Sequence, residues 1–415
     1  MTNTVSSPLI AFAALLAGTL PSAQDDLVRR VETLEQQNRE LESKFSALAD
    51  AQENFSLAGL VPPIGDTRHG MGPAASKIYA AEEGLSLGGY GEALYERRNG
   101  AANDEVDLLR LVLYLGYRFD EHWIFNSEIE FEHGGEEVGV EFAYLDYLCC
   151  EYLNLRMGMV LLPMGFVNEL HEPPTFLTAK RSEVERRILP TTWHENGVGV
   201  FGDAGPVGYR AYVVNGFDAT GFTDEGLRDG RQGGSEALAE DLAVVGRLDW
   251  TDTPGLIAGG SVYFGNAGQD QPGLGSTGVA IGELHAEWHA RGLWLRGLAS
   301  MAEVDDVAEL NAANGFVGAD SVGEELAGYY VEAGYDVCAL LSGAIAHAFS
   351  PYVRFESLDT QGEVPSGFAS DPANDFDITT VGLNWRPRSN LVFKAEYQDF
   401  DESDDGWNLA MGFSF

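Results

Sequence analysis

Residues 123–132 read WIFNSEIEFE and residues 406–415 read GWNLAMGFSF, and both stretches alternate between apolar and polar side chains. In the first, one face carries Trp123, Phe125, Ile129 and Phe131, and the other carries Asn126, Glu128, Glu130 and Glu132. A period of two is typical of a β-strand whose two faces meet different surroundings. Both stretches are therefore predicted to be strands with one apolar face and one wet face.

The same period continues from Gly84 to the last residue and predicts sixteen strands. The predicted strands are 84–97, 105–119, 122–133, 138–149, 152–162, 193–203, 206–216, 240–251, 255–265, 279–290, 292–302, 326–338, 343–357, 375–386, 389–400 and 406–415. Short and long connections alternate between them, and the long ones are 163–192, 217–239, 266–278, 303–325 and 358–374. Tight turns at one rim and long loops at the other are typical of a transmembrane barrel, whereas a soluble sandwich would mix its connection lengths. The predicted fold class is all-β: a 16-stranded antiparallel transmembrane β-barrel preceded by a short α-helical coiled coil.

Composition excludes several other classes of protein. Asp and Glu total 65 against 25 Lys and Arg, and the net charge of −40 argues against nucleic acid or an anionic lipid surface as a partner. Three Cys are too few for a disulfide scaffold. Beyond the N-terminus, no apolar run reaches the roughly 18 residues that a membrane helix needs.

Four segments are predicted along the chain. The apolar run Leu9–Leu20 is typical of a signal peptide, which we place at residues 1–23 and which implies export. Residues 24–52 are predicted to form the coiled coil, residues 53–83 a linker rich in Pro and Gly, and residues 84–415 the barrel.

The coiled-coil prediction depends on a heptad seam. Leucines recur every seven residues from Leu27 to Leu48, and Val31, Asn38 and Phe45 fall four residues after the first three of them. A short parallel coiled coil is favoured, with a trimer ahead of a dimer. The alternative is a single amphipathic helix lying on the barrel mouth.

A barrel of sixteen strands leaves an aqueous interior, and charged strand faces must point into it because charge on the lipid face is costly. The predicted basic pore-lining residues are Arg110, Arg118, Arg156, Arg210, Arg247, Arg296, Arg354 and Lys394. The predicted acidic ones are Glu128, Glu130, Glu283 and Glu287, with Glu132, Glu141, Glu332, Asp336, Glu356 and Glu396 on the same faces. Such charges would select the solutes that pass. Alternatively, they only solvate a wide lumen and pair across strands.

The long connection 163–192 is predicted to fold inward and narrow the channel. Its charged residues are Lys180, Arg181, Glu183, Glu185, Arg186 and Arg187. The stretch 177–188 has neither Gly nor Pro and could form a short helix that brings Arg181 and Glu185 together at i, i+4. The alternative is a solvated external loop.

Four stretches carry a family resemblance: EFAYLDYLCCEYLNLRMGMVLL (141–162), PMGFVNELHEPPTF (163–176), WHENGVGVFG (193–202) and YRAYVVNGFD (209–218). Together they resemble the outer-membrane porin superfamily that includes the phosphate-selective porins O and P. The final Phe415 also resembles the C-terminal aromatic residue of outer-membrane proteins. In that group, phosphate selection is associated with a ladder of Lys and Arg, whereas this chain has only four Lys.

The predicted function is therefore a passive outer-membrane porin, a water-filled channel for small hydrophilic solutes and ions. We expect a homotrimer in outer-membrane lipid with the helix in the periplasm. One alternative is a phosphate- or anion-selective porin, and the other is a structural tether that acts through the coiled coil.

No enzyme activity, catalytic residue, cofactor or nucleic-acid partner is predicted, because no nucleophile-base pattern is present. The same-face series Glu283, His285, Glu287 and His289 contains residue types that bind divalent metals. Same-face strand neighbours lie roughly 6.6–7 Å apart, too far for all four to reach one ion. The pairs His171-Glu172 and His194-Glu195 flank the long connection and offer the same residue types, but no metal site is predicted.

Overall fold

The computed structural model describes residues 20–54, 64–100, 103–341, 347–401 and 404–415. Most of the predicted signal peptide, residues 1–19, lies outside the described residues. The chain divides into two compact units, Met1–Gly59 and Leu60–Phe415, which are described separately. The four predicted segment boundaries stay predictions.

The first unit contains one helix, α1 (Leu20–Asn54), of 35 residues. It spans the whole segment in which the heptads predict a helix. Within it, Leu27, Leu34 and Phe45 are 64, 61 and 75% exposed in the single chain. The helix is confirmed, and the association of its apolar seam with other copies stays a prediction. No helix among the described residues is long and apolar enough to cross a membrane.

The second unit is a closed antiparallel barrel of sixteen strands, each bonded to its sequence neighbours. The strands are β1 (Gly84–Arg98), β2 (Glu105–Arg118), β3 (Trp123–Glu132), β4 (Glu137–Cys150), β5 (Leu153–Leu161), β6 (His194–Ala204), β7 (Val207–Asn215), β8 (Leu242–Trp250), β9 (Leu256–Asn266), β10 (Gly278–Ala290), β11 (Leu293–Val304), β12 (Glu325–Tyr335), β13 (Ala348–Glu363), β14 (Asp375–Arg388), β15 (Leu391–Phe400) and β16 (Gly406–Ser414). β1 pairs with β16, with Gly91 opposite Phe413, and this pairing closes the barrel. The predicted fold class and strand number are confirmed.

The helices within the barrel unit are short. α2 (Glu183–Arg187) and α3 (Val307–Asn314) are α-helical. The 3₁₀ turns are Ala75–Ala80, His133–Gly135, Pro173–Thr175, Ala219–Gly221, Arg228–Gly230, Val337–Leu340 and Pro372–Asn374.

The alternation in sequence places apolar side chains on the outer face of the barrel and polar side chains on the inner face. On β16, Trp407 and Leu409 are 51 and 48% exposed on the outer face, whereas Asn408 between them is 1% exposed. Polar and charged side chains on the other strands turn inward in the same way. The outer face of the barrel is therefore apolar, as a strand pattern of this period requires.

The connection between β12 and β13 is longer than the sequence predicts. It runs over residues 336–347, because β12 ends at Tyr335 and β13 begins at Ala348. A turn that starts at Asp336 ends the strand, since the Asp336 carboxylate accepts a hydrogen bond from the backbone N–H of Cys338. Cys338 therefore lies in this connection and not on a strand.

A β-bulge interrupts the ladder between β3 and β4. Glu128 is opposite Phe142, but the next residue, Ile129, is opposite Val140, so Glu141 is the extra residue. Both Glu141 and Phe142 are buried, at 6 and 0% exposure. Successive strand residues normally face opposite sides, and a bulge re-aims a side chain in this manner.

The connection Leu162–Trp193, which we call the lumen loop, passes through the interior of the barrel. Its backbone and side chains bond inward-facing residues of widely separated strands. The Ala179 N–H donates to Glu396 on β15, Ser182 Oγ donates to Glu356 on β13, and Thr192 Oγ1 donates to Glu141 on β4. A segment that reaches all three strands of a closed barrel must cross its lumen.

The expected aqueous interior is in large part occupied. Leu177, Val184, Ile188, Leu189 and Trp193 of the lumen loop are at most 1% exposed. Burial of these side chains against one another and the barrel wall removes apolar surface from water, which a solvated external loop would leave exposed. The apolar residues thus give the loop a reason to fold inward.

The middle of a second segment, residues 64–83, also lies inside the barrel, whereas its two ends are exposed. It belongs to the predicted linker, yet Ile78 is 1% exposed and packs so closely on β2 that a Cβ at Gly116 would lie 2.7 Å from it. The backbone N–H groups of Ala74 and Ala75 donate to Glu172 of the lumen loop at 2.8 and 3.1 Å. The described part of this segment is therefore folded into the barrel unit.

Candidate functional site

The predicted basic pore-lining residues face the interior of the barrel. Seven of them are at most 9% exposed: Arg110, Arg156, Arg210, Arg247, Arg296, Arg354 and Lys394. The eighth, Arg118, is half-buried and donates to the carbonyl oxygen of Ala81 at 3.1 Å, so it holds the segment 64–83. Among the acidic residues, Glu128, Glu130 and Glu283 are buried and Glu287 is half-buried.

Most of these charges form ion pairs. Arg156 Nε donates to Asp146 at 2.8 Å, and Arg354 lies 2.7 Å from Glu356. Arg296 pairs with Glu287. The interior thus agrees with the alternative that these charges pair across strands. The role of these residues as a pore lining stays a prediction.

The predicted constriction residues are brought together, but several are neutralised by near neighbours. Lys180 Nζ lies 2.8 Å from Glu96 on β1. Arg186 and Arg187 both pair with Glu183, at 2.9 and 3.1 Å, and Arg187 also lies 3.7 Å from Glu225. Their positive charge is therefore largely compensated locally.

The predicted helix over 177–188 is wrong in extent. α2 covers only Glu183–Arg187, because Ser182 caps it by accepting a hydrogen bond from the Glu185 N–H. Arg181 precedes the cap and does not pair with Glu185. Instead, the Glu185 carboxylate accepts from the N–H groups of Phe166 and Val167, at 3.0 and 2.7 Å, and from the Tyr330 hydroxyl at 2.7 Å.

Two further arginines lie beside the lumen loop and were not singled out in the sequence. Arg228 donates to the carbonyl oxygen of Thr191, and Arg231 to that of Thr192. Within the described part of the chain, neither they nor Arg181 form an ion pair. Burial, together with the guanidinium groups of Arg231 and Arg186, lowers the pKa of Arg228 to about 9, so it is charged at neutral pH. These two arginines lie in the connection 216–241, and no sequence pattern indicates that this connection contacts the lumen loop.

A polar cavity of about 710 Å³ opens beside these arginines. Its charged lining residues are Arg110, Glu130, Glu132, Glu141, Arg181, Arg228 and Arg231. A second cavity of about 570 Å³ lies at the other rim, where the segment 64–83, Glu172 and the end of β16 meet. Lys77, which sequence order places before the barrel, lines this second cavity.

The histidine series on β10 does not converge on one point. His285 Nδ1 lies 2.9 Å from Glu283, and its Nε2 lies 2.8 Å from Asp249 on β8. His289 lies 3.1 Å from Glu287, near the end of the strand. Two separate pairs form, in agreement with the spacing argument.

His171 of the lumen loop is buried against β3 and β4 and not against its sequence neighbour Glu172. Its Nε2 lies 3.2 Å from both carboxylate oxygens of Glu128 and 4.0 Å from Glu141 Oε2. One ligand atom from each of these three residues lies within 4.8 Å of the other two. The members lie on three separate segments, so no short motif could have predicted the group.

Comparisons with known proteins give one relative and several solved structures. An uncharacterized protein of Aquifex aeolicus is 38% identical over 360 residues, which cover 81% of this chain and 80% of that protein. No family model matches the chain.

The solved structures are similar in fold alone. OmpF of Salmonella typhi in complex with daunomycin is 10% identical, with a TM-score of 0.51 over 80% of this chain and 98% of that chain. A loop L8 deletion mutant of OmpT, an outer membrane protein of Vibrio cholerae, is 12% identical, with a TM-score of 0.50 over 80% of this chain and 100% of that chain. The trimer form of OmpT is 11% identical with a TM-score of 0.50, over 80% of this chain and 99% of that chain.

Proposed function

We propose that this chain, which belongs to the same family as the Aquifex aeolicus protein and has the fold of outer-membrane porins, forms a diffusion channel in the outer membrane. Small hydrophilic solutes and ions are the proposed cargo. The observation that carries the proposal is a closed sixteen-stranded barrel whose outer face is apolar and whose inner face is charged. Lipid covers the outer face, and the proposed transport needs no catalytic residue.

The lumen loop is the proposed constriction. It lies between a cavity of about 710 Å³ toward the rim of long connections and one of about 570 Å³ toward the other rim. Solutes would pass the charged group formed by Lys180, Arg181, Glu183, Glu185, Arg186 and Arg187. The inward faces of the barrel, with the predicted pore-lining residues, form the proposed wall of the route.

Conductance across a planar lipid bilayer tests this proposal. We expect the purified protein to open small ohmic steps in KCl, because the loop and the segment 64–83 occupy much of the lumen. A matched variant without residues 64–83 should give larger steps at the same rate of insertion. A protein that inserts into the bilayer and never opens a channel would overturn the proposal.

An anion-preferring channel is the second candidate, and one observation favours it. Arg181, Arg228 and Arg231 line the larger cavity without an ion-pair partner among the described residues, in a chain of net charge −40. Positive charge in a narrow, partly desolvated site attracts anions more strongly than it does on an open surface.

Reversal potentials under a tenfold KCl gradient separate the two candidates. An anion-preferring wild type should lose its preference in Arg181→Ala/Arg228→Ala/Arg231→Ala. The matched control, Arg186→Ala/Arg187→Ala, removes arginines that Glu183 and Glu225 already compensate and should shift the potential less. Equal shifts in both variants would argue against a special role for the unpaired arginines.

The helix α1 is proposed to join three copies into a trimer on the periplasmic side. The apolar seam residues whose burial is described, Leu27, Val31, Leu34, Leu41 and Phe45, are more than half exposed in the single chain, and burial of a heptad seam drives coiled-coil formation. Deletion of residues 25–52 tests this role. Loss of the oligomer would support the trimer helix, whereas envelope detachment with unchanged conductance would support a tether to the cell wall.

A further inference from the structure

We propose that Glu128, Glu141 and His171 form a binding site for a divalent transition-metal ion such as Zn²⁺, which links the lumen loop to β3 and β4. The three side chains are 0, 6 and 1% exposed. The proposal does not depend on whether the barrel conducts. Three geometric observations support it.

The first observation is the orientation of the imidazole. His171 Nδ1 lies 2.9 Å from the carbonyl oxygen of Asn168, which can only accept a hydrogen bond, so Nδ1 carries a proton. In the neutral ring, the Nε2 lone pair then faces the carboxylates of Glu128 and Glu141. Metal-bound histidines are commonly held in this way, by a hydrogen bond from the other ring nitrogen to a backbone carbonyl.

Asn168 is itself fixed at the base of the lumen loop. Its side-chain amide donates to the carbonyl oxygens of Leu162 and Trp193, at 2.6 and 2.9 Å. These residues are the two ends of the loop. The position of His171 relative to the barrel wall is therefore set by the loop's own closure.

The second observation is an unused carboxylate oxygen. Glu141 Oε1 accepts from Thr192 Oγ1 at 2.9 Å, but Glu141 Oε2 is buried and has no hydrogen-bond partner among the described residues. A buried carboxylate oxygen without a partner is costly. This oxygen lies 4.0 Å from His171 Nε2, on the side of the ring that faces Glu128.

The bulge between β3 and β4 gives Glu141 its direction. Without the extra residue, a side chain next to the inward-facing Phe142 would point to the outer face of the barrel. The bulge places a carboxylate inside at the height of Glu128, as bulges at functional sites often do.

The third observation is the local charge. Arg110 on β2 lies opposite Glu132 of β3, and three other carboxylates already surround it: Glu92, Glu130 and Glu132, at 3.6, 3.7 and 3.3 Å. Within the described part of the chain, no Lys or Arg lies within ion-pair distance of Glu128 or Glu141. Two carboxylates and a neutral imidazole carry a charge of −2, which one divalent ion balances.

The distances suit a transition metal. Ligands bound at 2.0–2.2 Å in a tetrahedron lie about 3.3 Å apart, close to the 3.2 Å between His171 Nε2 and Glu128. Glu141 Oε2, at 4.0 Å from His171 Nε2, lies about 0.7 Å beyond that spacing, and the three ligand atoms lie within 4.8 Å of one another. An imidazole ligand favours Zn²⁺ and its neighbours over Ca²⁺ or Mg²⁺. Glu141 also lines the cavity of about 710 Å³, which offers the ion a way in.

Equilibrium dialysis of the untagged, detergent-folded protein against Zn²⁺ tests the site. The work uses a Cys149→Ser/Cys150→Ser/Cys338→Ser background, since exposed thiols also bind Zn²⁺. We expect one equivalent of Zn²⁺ per chain, and at least a tenfold weaker affinity in both His171→Gln and Glu141→Gln. His289→Gln is the matched control, because it removes another histidine that contacts a glutamate, and it should bind like the parent.

A second measurement on the parent protein does not depend on the folding of any variant. Co²⁺ bound at this site should give visible absorption bands without thiolate charge transfer, and Zn²⁺ should displace it. If the parent binds neither ion, the group holds protons instead and the proposal is overturned. Binding that persists unchanged in His171→Gln and Glu141→Gln would overturn it equally.

Discussion

His171 and His285 are both buried beside carboxylates in the barrel interior, and they differ in how the charge around them is balanced. His285 contacts Glu283 and Asp249 through its two ring nitrogens, and Arg247 lies 2.8 Å from the same Asp249. His171 has two carboxylates beside one ring nitrogen, and no Lys or Arg of the described residues lies within ion-pair distance of either carboxylate. The charge of the neighbouring side chains therefore distinguishes the balanced His285 network from the proposed cation site at His171.

The largest expected effect comes from breaking the balanced network. Asp249 accepts hydrogen bonds from Arg210, Arg247 and His285, at 2.6, 2.8 and 2.8 Å. Asp249→Asn removes the charge that these groups share, and we expect the free energy of unfolding to fall by about 3–5 kcal/mol. Guanidinium unfolding of the barrel in detergent micelles measures it.

Glu303→Gln provides the control for that variant, because Glu303 is an exposed carboxylate on β11 and its loss should change the free energy of unfolding by less than about 0.5 kcal/mol. An effect of Asp249→Asn below about 1 kcal/mol would mean that the His285 network is not held together by its charges.

Metal addition should separate the two histidines. Zn²⁺ at a hundred times its dissociation constant should raise the free energy of unfolding by about 2.7 kcal/mol, since only the folded chain assembles the three ligands. His171→Gln should abolish this increment, whereas His285→Gln should lower stability and leave the increment in place. The same increment in both variants would place the ion elsewhere, and thermal unfolding with and without a chelator would reveal it.

The smallest expected effect is that of Glu141→Gln on the free energy of unfolding, and its sign is opposite to that of Asp249→Asn. In the presence of a chelator, Glu141→Gln removes one negative charge from a site with two in excess and keeps an oxygen for Thr192. We expect the free energy of unfolding to stay constant or to rise by about 1 kcal/mol. A fall of more than about 2 kcal/mol would show that Glu141 already serves as a counter-ion, as Asp249 does.

The strands could be predicted from the sequence because their pattern is local. The polar residues from Asn126 to Glu132 indicate the inner face of β3, with the apolar Ile124 as the exception, and lipid outside and charge inside reinforce the same period. The interior could not be predicted in this way. Residues 64–83 and 162–193 have no period, so nothing in their order indicates which wall they contact.

The candidate metal site escaped prediction for a related reason. Glu128, Glu141 and His171 lie on two strands and a loop, and their meeting requires both the β3–β4 register and the inward course of the loop. The strict alternation that predicts the barrel would have placed Glu141 on the lipid side. Glu141 was predicted to face the lumen because it is charged, and not because of its odd or even position in the strand.

The bulge at Glu141 also changes what a deletion would do to β4. Val138 and Val140 share the outer face with Phe131 and Ile129, whereas Phe142 and Tyr144, also at even positions, are buried. Loss of one residue inside a strand usually turns one half of the strand inside out. Removal of Glu141 would instead join the two halves in one continuous phase, with outward valines followed by inward aromatics. Glu141 can therefore be deleted without reversing the orientation of the other side chains on β4. Very few residues in a closed sheet can be deleted in this way.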